Sequence, residues 1–162
     1  MRDLTLETCK YIYKNHYKSK YRNIKDMKKR SIWKKNGAEK IIEELFYNGI
    51  LKDSEKYSHK YDKKYTYIRI DLKKYIRNYN CDFNDELVIN ILNNIVESPN
   101  RSTKRHIEFI LNLNSEYSEK EIADKIDFLL DKGVLKYKIN KYENIIYKGY
   151  DIDFYGLTYY IK

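Results

Sequence analysis

Basic and aromatic side chains alternate near the amino terminus of the chain. Residues 10–35 carry eleven Lys and Arg against a single acid, Asp26. The rings threaded between these cations are Tyr11, Tyr13, Tyr17, Tyr21 and Trp33. Concentrated positive charge with interleaved rings is typical of a surface that contacts phosphates. We therefore expect this stretch to bind a polyanion, and the alternative is a Lys-rich face that only meets water.

Candidates for metal or cofactor chemistry are isolated in the sequence. The histidines His16, His59 and His106 lack metal-ligand spacing, so we expect each of them on the surface or at an interface. Cys9 and Cys81 are far apart and form no C-x-x-C pair, which favours reduced thiols in a cytoplasmic protein. The Gly-rich phosphate loops of nucleotide-binding enzymes are absent from the sequence. We expect no cofactor, no metal and no enzymatic activity.

Two catalytic alternatives stay open. The acidic groups Asp82/Asp85/Glu86 and Asp151/Asp153 are chemically able to hold a divalent metal in a nuclease, although capping or solvated carboxylates are commoner. Any of the 19 tyrosines is a conceivable nucleophile for strand nicking. Because no paired His motif accompanies one of them, this second idea points to no particular residue.

Positive charge is concentrated in the first half of the chain. Residues 1–80 hold 22 Lys and Arg against 10 Asp and Glu, a net charge of +12, whereas residues 81–162 hold 11 against 14, a net charge of −3. We expect two small domains, 1–80 and 81–162, with polyanion contact in the first. The amino terminus shows no signal peptide and no segment resembles a membrane span, so we expect no membrane contact.

Hydrophobic periodicity predicts helices and one hairpin in the first half. The helices are expected over about residues 3–18, 23–30 and 35–48, the strands over 50–52 and 65–70, and a connecting helix over 72–78. Gly49 ends the third helix as a carboxyl-terminal cap. The polar stretch 53–64 is expected to be the loop of the hairpin.

The second half is predicted to begin with three more helices. The residues expected to open them are Asn84, Ser102 or Thr103, and Ser118 paired with Glu121 in a capping box. Gly133 ends the third of these helices and a strand starts at Val134. The β-forming residues that follow predict further strands as far as Ile161.

A sequence pattern occurs once in each half. The pattern I-x-x-L-[LF]-x-x-G-[IV]-L-K is found at 42–52 and again at 126–136, an offset of 84 residues. With the order helix–helix–helix–Gly–strand–loop–strand, it resembles the end of the recognition helix and the first wing strand of winged-helix proteins. The resemblance implies an α+β fold with two winged-helix-like units in tandem, each of three helices and a β-hairpin wing. A coincidental echo within an α+β domain is the alternative.

The resemblance also implies roles for particular residues. In winged-helix proteins the third helix enters the DNA major groove and the wing touches phosphate or the minor groove. Matching positions here are Lys34, Lys35, Asn36 and Lys40 on the helix, with further cations and rings on the wing. The complete set of expected nucleic-acid contacts is Lys18, Lys20, Arg22, Lys25, Lys28, Lys29, Arg30, Lys34, Lys35, Asn36, Lys40, Lys60, Lys63 and Lys64.

The second half differs in charge at the matching helix end. Its residues there are Ser118, Glu119, Glu121 and Asp124, and carboxylates repel phosphates. We therefore expect the second unit to contact protein or to form a homodimer. The alternative is a second DNA contact through its wing, by Lys138, Lys141 and Lys148.

Two functions are consistent with these patterns. The first is a protein that binds duplex DNA through its basic winged helix, as a transcriptional regulator or a phage- or plasmid-type replication factor, with RNA as an alternative ligand. The second is a non-catalytic protein-binding module, such as a phage-type inhibitor that docks on a host nucleoprotein complex.

Overall fold

The structure, a computed structural model, describes residues 3–162. These residues form an α+β fold of helices and two antiparallel β-hairpins, which confirms the predicted fold class. The chain divides into two compact units, unit 1 up to Tyr75 and unit 2 from Ile76. Within residues 3–162, no helix combines the length and apolar character needed to cross a bilayer.

Unit 1 has helices on both sides of its hairpin in the chain order. Its elements are α1 (Leu4–Lys14), α2 (Lys20–Lys28), α3 (Ser31–Asn36), α4 (Ala38–Tyr47), β1 (Leu51–Ser58), β2 (Lys63–Ile70) and the start of α5 (Leu72–Tyr79). The first two helices each begin after a residue whose side chain accepts a hydrogen bond from a backbone N–H of the first turn. Asp3 accepts a hydrogen bond from the Leu6 backbone N–H at 3.1 Å, and Ser19 accepts one from Arg22 at 3.2 Å.

One buried hydrogen bond holds α3 against α1. The indole Nε1 of Trp33 donates to the Thr8 hydroxyl at 2.9 Å, and both residues are buried. The Trp33 ring also packs edge-to-face on Tyr11, with 5.3 Å between the ring centroids. The apolar residues that complete the core around them include Leu6, Ile12, Met27, Ile42, Leu45, Leu51, Ile68, Ile70 and Leu72. The short helix α3 is therefore anchored by its indole while its cations stay outside.

The expected third helix is divided in two at Gly37. Gly37 has a left-handed backbone with φ of 74°, which ends α3 at Asn36 and lets α4 begin at Ala38. The predicted helix start near Lys35 is therefore wrong. Lys34 and Lys35 lie on α3 together with Asn36, and not on the helix that precedes the hairpin.

The hairpin of unit 1 is longer than expected. Strands β1 and β2 pair in register from Leu51 opposite Ile70 to Ser58 opposite Lys63, so the connecting loop is only 59–62. The predicted polar loop over 53–64 is wrong. Strand pairing continues past the core because the ladder hydrogen bonds need no apolar side chains. The tip of the hairpin therefore carries polar and basic residues into solvent.

Unit 2 follows a similar order. It contains the end of α5 and then α6 (Glu86–Glu97), α7 (Thr103–Leu113), α8 (Glu119–Asp131), β3 (Leu135–Tyr142), β4 (Ile145–Ile152) and α9 (Phe154–Ile161). The capping box of Ser118 and Glu121 is confirmed. Asn84 was the wrong cap for α6, because the carboxylate of Asp85 accepts from the Val88 backbone N–H at 3.2 Å.

The carboxyl-terminal segment is a helix, and the prediction of strands there is wrong. Asp153 caps α9 by accepting from the Gly156 backbone N–H at 3.0 Å. Phe154, Leu157 and Ile161 are buried and recur at helical spacing, which outweighs the β propensity of the segment. Gly156 lies against the carbonyl oxygen of Gly133, where any side chain would collide with that oxygen.

The backbone repeats between the two units at the helix–hairpin junction. Gly49 and Gly133 both end a helix in the left-handed conformation, with φ of 75° and 74°. The next residue closes the same bond in each unit: the Ile50 N–H donates to the Leu45 carbonyl at 3.0 Å, and the Val134 N–H donates to Leu129 at 2.9 Å. The sequence repeat therefore coincides with a repeated helix ending, hairpin and trailing helix.

Candidate nucleic-acid interface

The outer side of α2, α3 and their connection forms the basic surface of unit 1. Its residues are all exposed and are Arg22, Lys25, Lys28, Lys29, Arg30, Lys34 and Lys35. Asp26 is the one acid between residues 20 and 37. Such a patch attracts polyanions because its cations reinforce one another with little compensation from carboxylates.

Four lysines of the basic surface have no ion pair within the described part of the chain, although Lys29 is near enough to help lower the pKa of Asp26. Lys25, Lys29, Lys34 and Lys35 take part in no ion pair with any residue in 3–162. The guanidinium of Arg30 lies 4.9 Å from the centroid of the Tyr11 ring. Ammonium groups without a protein partner exchange counterions with the solvent, so these four lysines are able to meet phosphates at no cost in broken ion pairs.

Three lysines among the other predicted contacts are already paired with carboxylates, and Arg22 lies 3.9 Å from Asp26. Lys18 lies 3.0 Å from Asp26, and its side chain is only 13% exposed. The hydrogen bond between them raises the pKa of Lys18 and lowers the pKa of Asp26. Lys20 pairs with Asp53 at 2.9 Å, and Lys28 pairs with Glu39. Lys18 therefore contributes chiefly to the position of α2, whereas the other two pairs are more exposed and weaker.

The outer face of α4 is acidic. Glu39, Glu43 and Glu44 are exposed there, and Lys40 is the one cation among them. Carboxylates in a DNA groove would face phosphates of the same sign. The expectation that Lys34, Lys35, Asn36 and Lys40 form the entering end of one helix is therefore wrong, since only Lys40 belongs to α4.

Asn36 is already engaged within α3. Its side-chain amide nitrogen donates to the carbonyl oxygen of Ile32 at 2.6 Å, one turn earlier in the helix. A bidentate contact with adenine needs both the amide donor and the amide oxygen. Base reading by Asn36 would therefore require this local hydrogen bond to break.

The tip of the first hairpin groups cations with rings. Lys60, Lys63 and Lys64 are exposed in and beside the loop. The ammonium of Lys60 lies 5.3 Å from the Tyr61 ring centroid. The Tyr57 hydroxyl donates to the Asp62 carboxylate, which fixes the loop from inside. The tip of the hairpin therefore exposes lysines beside the aromatic ring of Tyr61.

A groove runs between this hairpin tip and the connection from α1 to α2. It has a volume of about 550 Å³, and we call it the tyrosine groove. Its lining residues are Tyr17, Lys18, Ser19, Arg22, Ser58, Tyr61, Lys63, Lys64 and Tyr65. None of these described lining residues is acidic. No local sequence pattern indicates the groove, because its two walls lie about 40 residues apart, although Tyr17 is one of the rings of the basic stretch 10–35.

Unit 2 presents a different surface at the matching positions. Ser118, Glu119, Glu121 and Asp124 are all exposed at the start of α8. The hairpin of unit 2 exposes Lys138, Lys141 and Lys148, but it also exposes large apolar side chains. Those apolar residues are Ile139, Ile145 and Ile146. The hairpin of unit 2 is therefore mixed in character, although its Tyr142 and Tyr147 line a groove with Arg101 and Arg105.

His106 is buried, so its predicted surface position is wrong. Its Nε2 donates to the Ser98 carbonyl oxygen at 2.5 Å, and its ring stacks on Tyr150. Burial lowers the pKa of His106, which keeps the imidazole neutral inside unit 2. This histidine serves the packing of α7 on β4, and its side chain does not reach the surface.

The thiols and carboxylates are dispersed. Cys9 is buried and burial raises the pKa of its thiol, while Cys81 is exposed, and both are free. Among residues 3–162, no three His, Cys, Asp or Glu side chains lie close enough together to hold a metal ion. The sites with concentrated charge are therefore the basic surface and the tyrosine groove of unit 1.

Comparison with models of protein families, with curated proteins and with solved structures finds no match for this chain. Its function has to be inferred from the chemistry of its own surface. The cations of the basic surface are the strongest chemical feature of unit 1, because all seven are exposed and only Arg22 and Lys28 form an ion pair with a described residue.

Proposed function

We propose that the protein binds double-stranded DNA through unit 1, with the basic surface and the first hairpin on the phosphates. The free lysines of the basic surface carry this proposal, because Lys25, Lys29, Lys34 and Lys35 are exposed and have no ion-pair partner among the described residues. Duplex DNA carries a negative charge about every 1.7 Å along its axis. Exposed ammonium groups without ion-pair partners are the chemical complement of that backbone.

The proposal includes two winged-helix-like units in tandem. The order α1, α2, α4 and hairpin in unit 1, and α6, α7, α8 and hairpin in unit 2, supports it. The repeated left-handed glycines at the helix–hairpin junctions support it as well. Two features depart from the simplest form of that fold. These are the extra helix α3 and the helices that follow each hairpin.

In this proposal most of the affinity comes from phosphates and little comes from bases. The exposed carboxylates of α4 disfavour deep entry of that helix into the major groove, and the donor of Asn36 is occupied. Contacts to phosphate set position and affinity but carry no direct sequence information. Sequence preference should therefore be weak unless DNA shape contributes.

Unit 2 takes the role of a protein contact or homodimer module. Its acidic α8 end opposes phosphate contact, and its hairpin exposes isoleucines that suit a protein interface. A DNA-gripping unit joined to an assembly unit matches regulators of transcription and phage- or plasmid-type replication factors. The same exposed isoleucines favour the second candidate, a protein-binding module that docks on a nucleoprotein complex.

A gel shift against random duplexes at low and high salt tests the main proposal. Affinity should fall steeply as salt rises, because bound phosphates release counterions. Affinity that ignores salt, or no binding to any duplex, would refute the proposal. A pull-down with and without nuclease separates the second candidate, since partners retained after digestion of nucleic acid indicate direct protein binding.

A further inference from the structure

Two tyrosines of the tyrosine groove are exposed without being part of the core of unit 1. Tyr17 is 62% exposed and Tyr61 is 65% exposed. They approach the groove from opposite walls, one from the connection after α1 and the other from the hairpin loop. Exposed rings gain little for folding, so a pair of them across a groove suits a ligand with flat, apolar faces.

The charges beside these rings select for an anionic ligand. Arg22, Lys63 and Lys64 are exposed along the groove. The amino-terminal end of α2, capped by Ser19, lies at the same groove and adds the positive end of its dipole. A groove of about 550 Å³ lies within the range of ligand sites. Asp26 pairs with Lys18 and lies 3.9 Å from Arg22, so the lining cations without an ion pair among the described residues are Lys63 and Lys64. Rings beside such cations fit bases joined by phosphates.

Duplex DNA alone offers no exposed base face on which the Tyr17 and Tyr61 rings could stack. Within a duplex the faces of the bases are covered by stacking, and a protein ring stacks on a base only when that base is unpaired. Unit 2 has a groove of similar character, lined by Arg101, Arg105, Tyr142 and Tyr147, but Ile145 lies beside its rings. The tyrosine groove has no aliphatic side chain among its lining residues, so its rings and cations are the contacts that it offers to a ligand.

We infer that the tyrosine groove binds an unpaired strand of DNA, with bases stacked on Tyr17 and Tyr61 and phosphates on Arg22, Lys63 and Lys64. The inference rests on the proposed function and adds its substrate class. Unit 1 then prefers duplexes that carry a single-stranded tail or an opened segment. The basic surface holds the duplex part, and the groove holds the strand that leaves it.

Fluorescence anisotropy with labelled DNA tests the inference on the full chain. The probes are a blunt duplex and the same duplex with a tail of about ten thymidines, which is within the site size of single-strand binders. The wild type should bind the tailed duplex at least about five-fold more tightly than the blunt one, because one stacked base contributes about five- to 150-fold. The double variant Tyr17→Ala/Tyr61→Ala should lose this preference, because its affinity for the tailed duplex should fall by more than its affinity for the blunt one.

Two controls separate stacking from other effects. Tyr17→Phe/Tyr61→Phe keeps the rings and should keep the preference for the tail. Tyr159→Ala removes a tyrosine that is 86% exposed in unit 2 and should change neither affinity. Thermal unfolding followed by circular dichroism should be the same for all variants, since both groove rings are exposed.

The outcomes distinguish the inference from the function on which it rests. No binding to either probe refutes the proposed function itself. Equal affinity for blunt and tailed duplexes refutes the inference alone. If the Ala variant weakens both probes equally, the rings pack against the duplex, and single-strand capture is refuted as well.

Discussion

Neutralising the four free lysines of the basic surface should change the salt dependence of DNA binding. The perturbation is a quadruple variant in which Lys25, Lys29, Lys34 and Lys35 become Gln. These side chains are exposed and form no ion pair with a described residue, so their loss should leave unit 1 folded. The readout is therefore the contact with phosphate, uncomplicated by broken ion pairs.

The size of the effect follows from counterion release. Each neutralised phosphate contributes about 0.9 to the slope of log K against log salt for duplex DNA. Four lost contacts should lower the magnitude of that slope by up to about 3.6. Between about 50 and 200 mM salt, the wild type should then lose about 150-fold more affinity than the variant loses.

The assay is anisotropy or gel shift with one duplex across a series of salt concentrations. A matched control changes Lys120, Lys132, Lys138 and Lys141 to Gln in unit 2, where all four are exposed. Both variants lower the formal net charge from +9 to +5 by removing four lysines. Only the position of the removed charges differs between them.

The slopes of log K against log salt for the two variants show which unit contacts the DNA. If unit 1 grips the DNA, its variant loses slope and the control keeps the wild-type slope. An equal change in both variants would mean that overall charge, and not a defined surface, drives binding. A larger change in the control would place the contact on unit 2 and refute the assignment to unit 1.

Three further predictions concern stability and pH. Thr8→Val leaves the buried Trp33 indole N–H without its acceptor, so urea unfolding should show a loss of about 1–3 kcal/mol. Gly156→Ala places a methyl group against the Gly133 carbonyl oxygen, and thermal unfolding should show a loss of at least about 1–3 kcal/mol. Burial lowers the pKa of His106, so the unfolded chain takes up that proton first, and the free energy of unfolding should fall as pH drops below 6.5. Urea titrations at several pH values check this window, and His106→Asn should flatten it.

Each of these predictions has an outcome that contradicts it. An unchanged unfolding midpoint for Thr8→Val would mean that Trp33 finds another acceptor or water. Wild-type stability of Gly156→Ala would mean that α9 moves freely away from Gly133. A pH profile near 6.5 that is the same with and without His106 would place the responsible proton elsewhere.

Local signals accounted for the parts of the fold that the sequence predicted correctly. Ser118 with Glu121, and the glycines at 49 and 133, act within one turn of a helix, so the sequence alone contains the whole interaction. The helix expected near Asn84 is present as α6, whose apolar stripe is likewise a local pattern. The exposure of the lysines was also predictable from the sequence, because water solvates a charged side chain at the surface whether or not it has a protein partner.

The errors arose where distant contacts decide the structure. The β-forming residues of α9 fold as a helix because only a helix turns Phe154, Leu157 and Ile161 toward the core of unit 2 together. Gly37 lies inside the segment 35–48 that periodicity predicts as one helix, and its left-handed conformation divides that segment in the structure. The tyrosine groove joins segments far apart in the chain, and no local pattern indicates such a pairing.

The contrast between the two thiols offers a route to a fluorescent reporter. Cys9 is buried and its raised pKa keeps it protonated, whereas Cys81 is exposed. A maleimide dye should therefore attach at Cys81 alone, in the native chain and without any added cysteine. Energy transfer between that dye and a second dye on the DNA would report the distance between residue 81 and the labelled end of the bound duplex.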